Sequence, residues 1–264
     1  MSGVRAPAVA GLFYPSDATE LREQIDTLMR RSATSQVAER RPKAVVAPHA
    51  GYIYSGPIAA SAYARVAELR GTVTRVVLLG PAHRVPVRGL AVPTVDALRT
   101  PLGDVSIDDE LRTAVSAHPA VVLDDLPHAE EHSIEVQLPF LQRILGDFTL
   151  LPFVVGNVEA EVVADVLDAV WGGPETMIVV STDLSHYESH DAAVTHDEHT
   201  VAAIVAGNGA EIGPYDACGA TPLRGLMTAA SRHGIEPHLL DRRTSGETAG
   251  QPNRVVGYAS LVYS

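Results

Sequence analysis

The chain has 264 residues, of which 46% are hydrophobic and 20% charged, a balance typical of a globular protein with a large core. Its formal net charge of −12 argues against a nucleic-acid-binding protein, because phosphate binding needs a basic surface. No run approaches the roughly 18 consecutive apolar residues of a membrane span, and the N-terminus lacks a basic stretch followed by an apolar core, so neither membrane insertion nor a secretory signal is predicted.

The first half of the chain alternates predicted helices and strands. Asp17 is a plausible cap for a helix in which Leu21 and Ile25 recur at helical spacing, and the polar residues 32–41 then predict a surface connection. Beyond this connection, the pattern predicts strands at 44–48, 75–80, 88–93 and 121–123, helices at 57–69 and 107–116, and a turn-rich loop at 98–103.

The second half continues the alternation. Residues 130–145 predict an amphipathic helix in which Pro139 starts a new segment or kinks the helix. The pattern then predicts strands at 148–155, 177–181, 236–241 and 254–262, and helices at 159–171, 191–206 and 223–232. Because no linker or composition shift interrupts the alternation, we predict one domain over residues 1–264, an α/β three-layer-like sandwich with a largely parallel central sheet.

The most informative feature is a repeated strand ending. Three short β-branched runs end in turn residues followed by a histidine: 44–47 before His49, 76–79 before His83, and 177–180 before Asp183 and His186. Such apolar runs predict buried parallel strands, and ligands of open α/β sheets bind at the carboxyl ends of such strands. The three endings together indicate one convergent site, which we interpret as a metal site.

Each candidate side chain also has a structural interpretation. His49 and His83 could be loop histidines bonded to carbonyl groups, although their similar placement favours a shared site. Asp183 and His186 suit acid–base chemistry, in which the aspartate fixes the tautomer of the histidine, but Asp183 could equally cap a helix. Cys218 is the only cysteine, which excludes an internal disulfide and fits a reducing compartment such as the cytoplasm.

Cys218 could be a metal ligand or a small buried hydrophobic residue, and the neighbouring Gly219 and Pro222 favour an exposed turn. His132 and Glu135 lie three residues apart on a predicted helix, so they could orient the metal ligands or belong to a polar helix face. His196 and His199 have the same spacing, and for them a solvated helix face is favoured.

Seven motifs in order along the chain resemble the Memo family, named AmmeMemoRadiSam system protein B in prokaryotes. They are residues 10–15, 47–52, 80–83, 100–103, 131–135 and 181–186, and Cys218-Gly219 with Pro222. The resemblance implies a fold similar to that of the class III extradiol ring-cleaving dioxygenases, which hold non-haem Fe(II) with two histidines and a glutamate.

The resemblance also implies roles for individual residues. His49, His83 and Cys218 would be the metal ligands, and His186 the acid–base histidine with Asp183 beside it. Fe²⁺ is the expected ion, but a thiolate in place of a carboxylate shifts preference toward copper or zinc, so ring cleavage does not carry over directly. The prokaryotic family name implies an AMMECR1-like protein and a radical SAM protein as partners.

Three functions follow from these observations. The first is a metal-dependent oxidoreductase acting on a small substrate, with His186 moving protons. The second is a non-enzymatic protein that binds a metal or a peptide in a decayed dioxygenase pocket. The third is a zinc hydrolase, because two histidines and one thiol or acidic ligand also suit a zinc-bound water.

Overall fold

The computed structural model describes residues 3–32 and 41–264, so most of the predicted connection at 32–41 lies outside the described residues. The strands are β1 (Val4–Arg5), β2 (Ala44–Ala47), β3 (Arg75–Pro81), β4 (Leu90–Val92), β5 (Ala97–Thr100), β6 (Gly103–Ser106), β7 (Val121–Leu123), β8 (Thr149–Val155), β9 (Thr176–Ser181), β10 (His186–Glu188), β11 (Pro237–Thr244) and β12 (Val255–Tyr263). The helices are α1 (Ala18–Arg31), α2 (Tyr52–Ala67), α3 (Asp109–Ser116), α4 (Leu126–Ala129), α5 (His132–Glu135), α6 (Leu138–Leu145), α7 (Ala160–Ala169), α8 (His190–Val205) and α9 (Ala220–His233).

A large central sheet has the strand order β10-β12-β2-β9-β3-β8-β4-β7, and β11 pairs with β12. Its middle four strands, β2, β9, β3 and β8, run parallel, as the apolar runs predict. Antiparallel pairings flank them, between β12 and β2 on one side and between β4 and β8 on the other. The α/β class with a partly parallel central sheet is therefore confirmed.

The inner positions of the central strands carry apolar side chains on both faces, so the sheet is buried on both sides. In β3, Val77 and Leu79 pack with α7 and α9, whereas Val76 and Leu78 pack with α1, α2 and α6 on the opposite face. The side chains on the two faces of the sheet form two separate hydrophobic cores. The sheet with a layer of helices on each face is a three-layer sandwich. Within the described residues, no helix has the length and apolar character needed to cross a bilayer.

The start of α2 and the expected loop at 98–103 differ from the sequence expectation. Helix α2 begins at Tyr52 rather than near residue 57, because the Phe13 carbonyl of the N-terminal segment accepts the first helical N–H at 2.8 Å. The expected loop at 98–103 is the tip of a hairpin formed by β5 and β6, and β1 pairs parallel with β5.

The expected helix at 130–145 consists of two helices, α5 and α6. Pro139 lies in the first turn of α6, where its missing N–H costs no helical hydrogen bond. The two helices leave Glu131 at the N-cap of α5 and Gln137 at the N-cap of α6. Both side chains reach the candidate site described below.

The strand register brings the three histidine-bearing loops together. Ala47 at the end of β2 pairs with Ser181 at the end of β9, and Leu79 of β3 pairs with Val180 of β9. Since parallel neighbours end at the same edge of the sheet, the loops carrying His49, His83 and Asp183 emerge side by side.

Candidate metal centre

Three imidazoles meet at this edge of the sheet. Potential ligand nitrogens of His49, His83 and His132 all lie within 4.8 Å of one another. The ring centroids are 5.2 Å apart for His49 and His83, and 4.6 Å apart for His83 and His132. His49 is 2% exposed and forms the floor, whereas the His83 side chain is 27% exposed at the mouth.

Cys218 approaches the same cluster from the turn that precedes α9. Its Sγ lies 3.4 Å from His49 Nε2 and accepts a hydrogen bond from the Asp183 N–H at 3.3 Å. Two ligands sharing one tetrahedral zinc through typical Zn–N and Zn–S bonds would be about 3.6 Å apart. The spacing between the thiol and the His49 ring therefore fits a shared metal ion.

Glu131 orients His83 through two hydrogen bonds. One carboxylate oxygen accepts from the His83 backbone N–H at 2.7 Å, and the other from His83 Nδ1 at 2.8 Å. The carboxylate also accepts the Ser133 N–H at 2.9 Å, as the N-cap of α5. Because an ionised carboxylate only accepts, His83 Nδ1 carries a hydrogen, and the tautomer with this hydrogen has its free lone pair on Nε2.

His132 enters the site as the first residue of α5. Its ring centroid lies 5.3 Å from that of His49 and 4.9 Å from that of Phe13. His132 Nδ1 is buried and has no hydrogen-bond partner among the described residues, although it lies 3.4 Å from Glu131 Oε1. An unpartnered buried nitrogen beside two other imidazoles fits a metal-binding role, so both His132 and Cys218 can complete a set with His49 and His83.

Burial keeps two of the imidazoles, those of His49 and His132, neutral. Burial, reinforced by His132 and His83, lowers the pKa of His49 well below its usual value. Burial also outweighs the attraction of Glu131 and lowers the pKa of His132 to about 4. Neutral imidazoles have the lone pairs that metal ions need, so His49 and His132 can each offer a nitrogen to a cation at neutral pH.

The thiol and the nearby carboxylate respond to the same burial. Burial and the neighbouring Asp183 raise the pKa of Cys218 to about 12. Burial likewise raises the pKa of Asp183, despite the hydrogen bonds that it accepts from backbone N–H groups. A cation would reverse both shifts, because it favours the thiolate and the carboxylate.

Asp183 does not hydrogen-bond to the His186 ring that it was expected to orient. Its Oδ1 accepts the His49 N–H at 2.7 Å, so it supports the loop of His49. The His186 ring bonds through Nδ1 to the Leu184 carbonyl at 2.7 Å, and this carbonyl, rather than Asp183, sets the His186 tautomer. The expectation that Asp183 fixes this tautomer is corrected, because the chain turns between residues 183 and 186 into β10.

Glu135 also has a different environment from the one expected. It is fully buried and accepts hydrogen bonds from the Ala8 and Val9 N–H groups at 2.7 and 3.0 Å, and from Tyr14 and Arg5. These contacts hold the N-terminal segment that brings Phe13 against His132. Glu135 thus supports the site through this segment, and within residues 3–32 and 41–264 it forms no hydrogen bond with an imidazole.

A cavity of about 460 Å³ lies above the cluster. Its floor contains the three imidazoles, Asp183 and Cys218, and its rim includes Arg84, His186, Tyr187, Glu188, Pro214 and Tyr215. Tyr187 is 64% exposed and has a φ of 64°, which is uncommon for a residue other than glycine. A small molecule entering the cavity would meet His186 and the exposed Tyr187 and Tyr215 beside the cluster.

Sequence reasoning did not identify Glu131 or Ser181. Ser181 Oγ lies 2.9 Å from His49 Nδ1 and is fully buried at the end of β9. Their positions beside candidate residues could have indicated both. Glu131 precedes His132 in the motif, and Ser181 is the last residue of the strand that leads to Asp183. The helical spacing of His132 and Glu135 pointed instead to the other glutamate.

The sequence matches known proteins over nearly its whole length. A family model described as Memo-like protein matches residues 5–262. A MEMO1 family protein of Methanopyrus kandleri is 40% identical over 279 residues, with 98% of each chain covered. A MEMO1 family protein of Aquifex aeolicus is 38% identical over 271 residues, covering 98% of this chain and 99% of the relative.

A solved structure shares the fold at much lower sequence similarity. The crystal structure of an uncharacterized protein from Escherichia coli K12 superposes with a TM-score of 0.52 and 15% identity. The alignment covers 84% of this chain and 99% of that chain. This likeness supports the α/β architecture alone.

Proposed function

The chain belongs to the Memo family, and from that premise we propose that it binds a divalent transition-metal ion and uses it for oxidation chemistry on a small substrate. The observation that carries the proposal is the convergence of three imidazoles within 4.8 Å, with the Cys218 thiol 3.4 Å from one of them. We propose Fe²⁺ as the native ion, with copper and zinc as the competitors that metal analysis must distinguish.

His49 and His83 would hold the ion together with Cys218, and His132 is available as a further nitrogen ligand. When bound, such an ion supplies Lewis acidity and electron transfer to dioxygen or substrate. Glu131 keeps the His83 lone pair directed at the centre. Burial of the floor excludes water from His49 and strengthens each electrostatic contact there.

His186 is the candidate proton carrier. The Leu184 carbonyl holds the hydrogen on Nδ1, so Nε2 of the neutral ring can accept a proton. The ring lines the cavity from the rim, where a bound substrate would lie between it and the cluster. Asp183 contributes negative charge to the floor and supports the His49 loop, which is a positioning role.

Metal analysis of protein purified under anaerobic conditions tests this proposal. We expect about one metal ion per chain in the wild type and almost none in a His49→Ala/His83→Ala double variant. A His199→Ala variant is the control, since His199 is an exposed histidine on α8 outside the cavity. Unchanged metal content in the double variant would refute the assigned ligands.

Oxygen consumption then separates the oxidoreductase from a binding protein. We expect the iron-loaded wild type to consume dioxygen with a reducing small-molecule substrate, and a His186→Ala variant to lose this activity while it keeps its metal. Loaded protein that consumes none with catechols, thiols or ascorbate would support a metal- or peptide-binding function. The cytoplasmic location is also a prediction. So are the AMMECR1-like and radical SAM partners, which co-purification from the native cells would test.

A further inference from the structure

A buried chain of hydrogen bonds runs from the core to the far side of the His49 ring. The Tyr63 hydroxyl donates to Gln137 Oε1 at 2.6 Å, and Gln137 Nε2 donates to Ser181 Oγ at 2.7 Å. Ser181 Oγ lies 2.9 Å from His49 Nδ1. Tyr63, Gln137 and Ser181 are fully buried, so water cannot replace any of these contacts.

The directions of these hydrogen bonds follow from groups that can only accept. Gln137 Nε2 also lies 3.0 Å from the Pro48 carbonyl oxygen, which requires the amide nitrogen on that side. The amide therefore donates to Ser181. The only hydrogen of the Ser181 hydroxyl is used in a 2.6 Å bond to the Ser133 carbonyl, which also can only accept.

One position remains open on Ser181, and it is a lone pair. A hydroxyl has one hydrogen and two lone pairs, and the hydrogen and one lone pair are already used by Ser133 and Gln137. The group at 2.9 Å must therefore donate, which places the imidazole hydrogen on His49 Nδ1. His49 Nε2, which lies 3.4 Å from the Cys218 sulfur, keeps its lone pair.

We propose that Ser181, held by Gln137, is a positioning residue that fixes the tautomer of His49, so that Nε2 faces the metal centre with a free lone pair before any ion arrives. Without this acceptor, the hydrogen on Nδ1 would be buried without a partner, and the ring would favour the tautomer that blocks Nε2. Gln137 fixes the position of Ser181 relative to the His49 loop, because it donates both to Ser181 and to the carbonyl of Pro48, the residue before His49. This inference rests on the proposed metal-binding function, in which Nε2 is the ligand atom.

Imidazole ¹⁵N NMR of the metal-free protein, labelled at histidine, tests the tautomer directly. A His49→Gln variant assigns the resonances. We expect the wild type to show a protonated Nδ1 and an unprotonated Nε2 at His49. A wild-type spectrum with the hydrogen on Nε2 would overturn the proposal, and this measurement needs no variant that risks misfolding.

Substitution of Ser181 tests the cause. We expect Ser181→Ala to populate the other tautomer and to weaken Zn²⁺ binding about 10- to 100-fold, as is typical when a group that orients a metal-binding histidine is lost. Ser181→Thr keeps the hydroxyl and should restore both properties. Ser260→Ala is the matched control, because Ser260 is also fully buried in this sheet and its hydroxyl has no partner among the described residues.

The two readouts separate this inference from the proposed function. A Ser181→Ala protein that keeps the hydrogen on Nδ1 contradicts the positioning role, even if its Zn²⁺ affinity falls. A wild type that binds no Zn²⁺, iron or copper contradicts the metal function, yet its NMR spectrum still shows which tautomer His49 adopts.

Discussion

At the scale of single residues, Glu131 shows how much one carboxylate can organise. It accepts two hydrogen bonds from His83 and one from the Ser133 N–H. Burial alone would raise the pKa of Glu131, but these hydrogen bonds, led by that of the His83 ring, lower it to about 2. The residue therefore stays ionised at neutral pH and keeps the His83 lone pair aimed at the centre.

We predict that Glu131→Gln weakens Zn²⁺ binding about 10- to 100-fold. The physical reason is that a glutamine offers one acceptor oxygen where a carboxylate offers two, so its NH₂ group would face an N–H donor of His83 or Ser133. Competition with a chromophoric chelator measures the affinity. Glu130→Gln is the control, since the adjacent Glu130 is exposed, and equal affinities for both variants would contradict the role of Glu131.

At the scale of elements, His196 connects the two segments that form one side of the cavity rim. From α8 it bonds through Nδ1 to Glu188 of β10 at 2.9 Å, and through Nε2 to Asp216 at 2.7 Å. Asp216 lies in the turn that carries Tyr215 and leads to Cys218. The sequence favoured a solvated helix face for His196, but the structure shows the side chain partly covered by these two tertiary contacts.

The two carboxylates make this connection pH-dependent. The hydrogen bond to Asp216, followed by that to Glu188, raises the pKa of His196 above its usual 6.5. A raised pKa means that the stabilisation is complete below about pH 6.5, the value in the unfolded chain, and is lost as pH rises through the higher folded value. The neutral ring has one N–H and can donate to only one of the two carboxylates.

We predict that His196→Gln lowers the free energy of unfolding by about 0.5–1 kcal/mol more at about pH 6 than at about pH 9, as for a partly exposed ion pair. Urea unfolding at the two pH values measures the difference. His199→Gln, an exposed position on the same helix, serves as the control. A loss of stability that is the same at both pH values would show that His196 does not act through its charge.

At the scale of the whole molecule, the candidate metal centre is assembled only by folding. Its groups come from the ends of β2 and β3, from α5 and from the turn before α9, and His49 and Cys218 are 169 residues apart in sequence. An unfolded chain cannot hold these groups in place, so a bound ion must stabilise the folded state. The family match over residues 5–262 spans this whole arrangement, whereas one domain over residues 1–264 stays a prediction.

We predict that Zn²⁺ at about 100 times its dissociation constant raises the free energy of unfolding by about 2.7 kcal/mol, and that a chelator reverses the gain. Thermal unfolding with and without the ion measures this change. The His49→Ala/His83→Ala variant should show no metal-dependent increase in Tm. An equal increase in that variant would mean that the ion stabilises the protein from another site.

The sequence by itself determined the α/β class, the buried central strands and the loops that carry His49 and His83. These features depend on local patterns: apolar runs of strand length, turn residues after them, and caps such as Asp17, whose side chain accepts from the Thr19 and Glu20 N–H groups. Parallel pairing then brings the strand ends to one edge, which is why a convergent site could be predicted. The seven ordered motifs identified the family, and the family match confirms it.

Only the tertiary structure decided which side chains surround the imidazoles. Glu131 and Glu135 both lie near His132 in sequence, but α5 is a single turn, and its docking sends Glu131 to His83 and Glu135 to the N-terminal segment. The contact of Ser181 with Gln137 likewise joins the end of a strand to the N-cap of α6, 44 positions apart in sequence. Such contacts depend on packing between elements, and helical or strand periodicity within one segment contains no information about them.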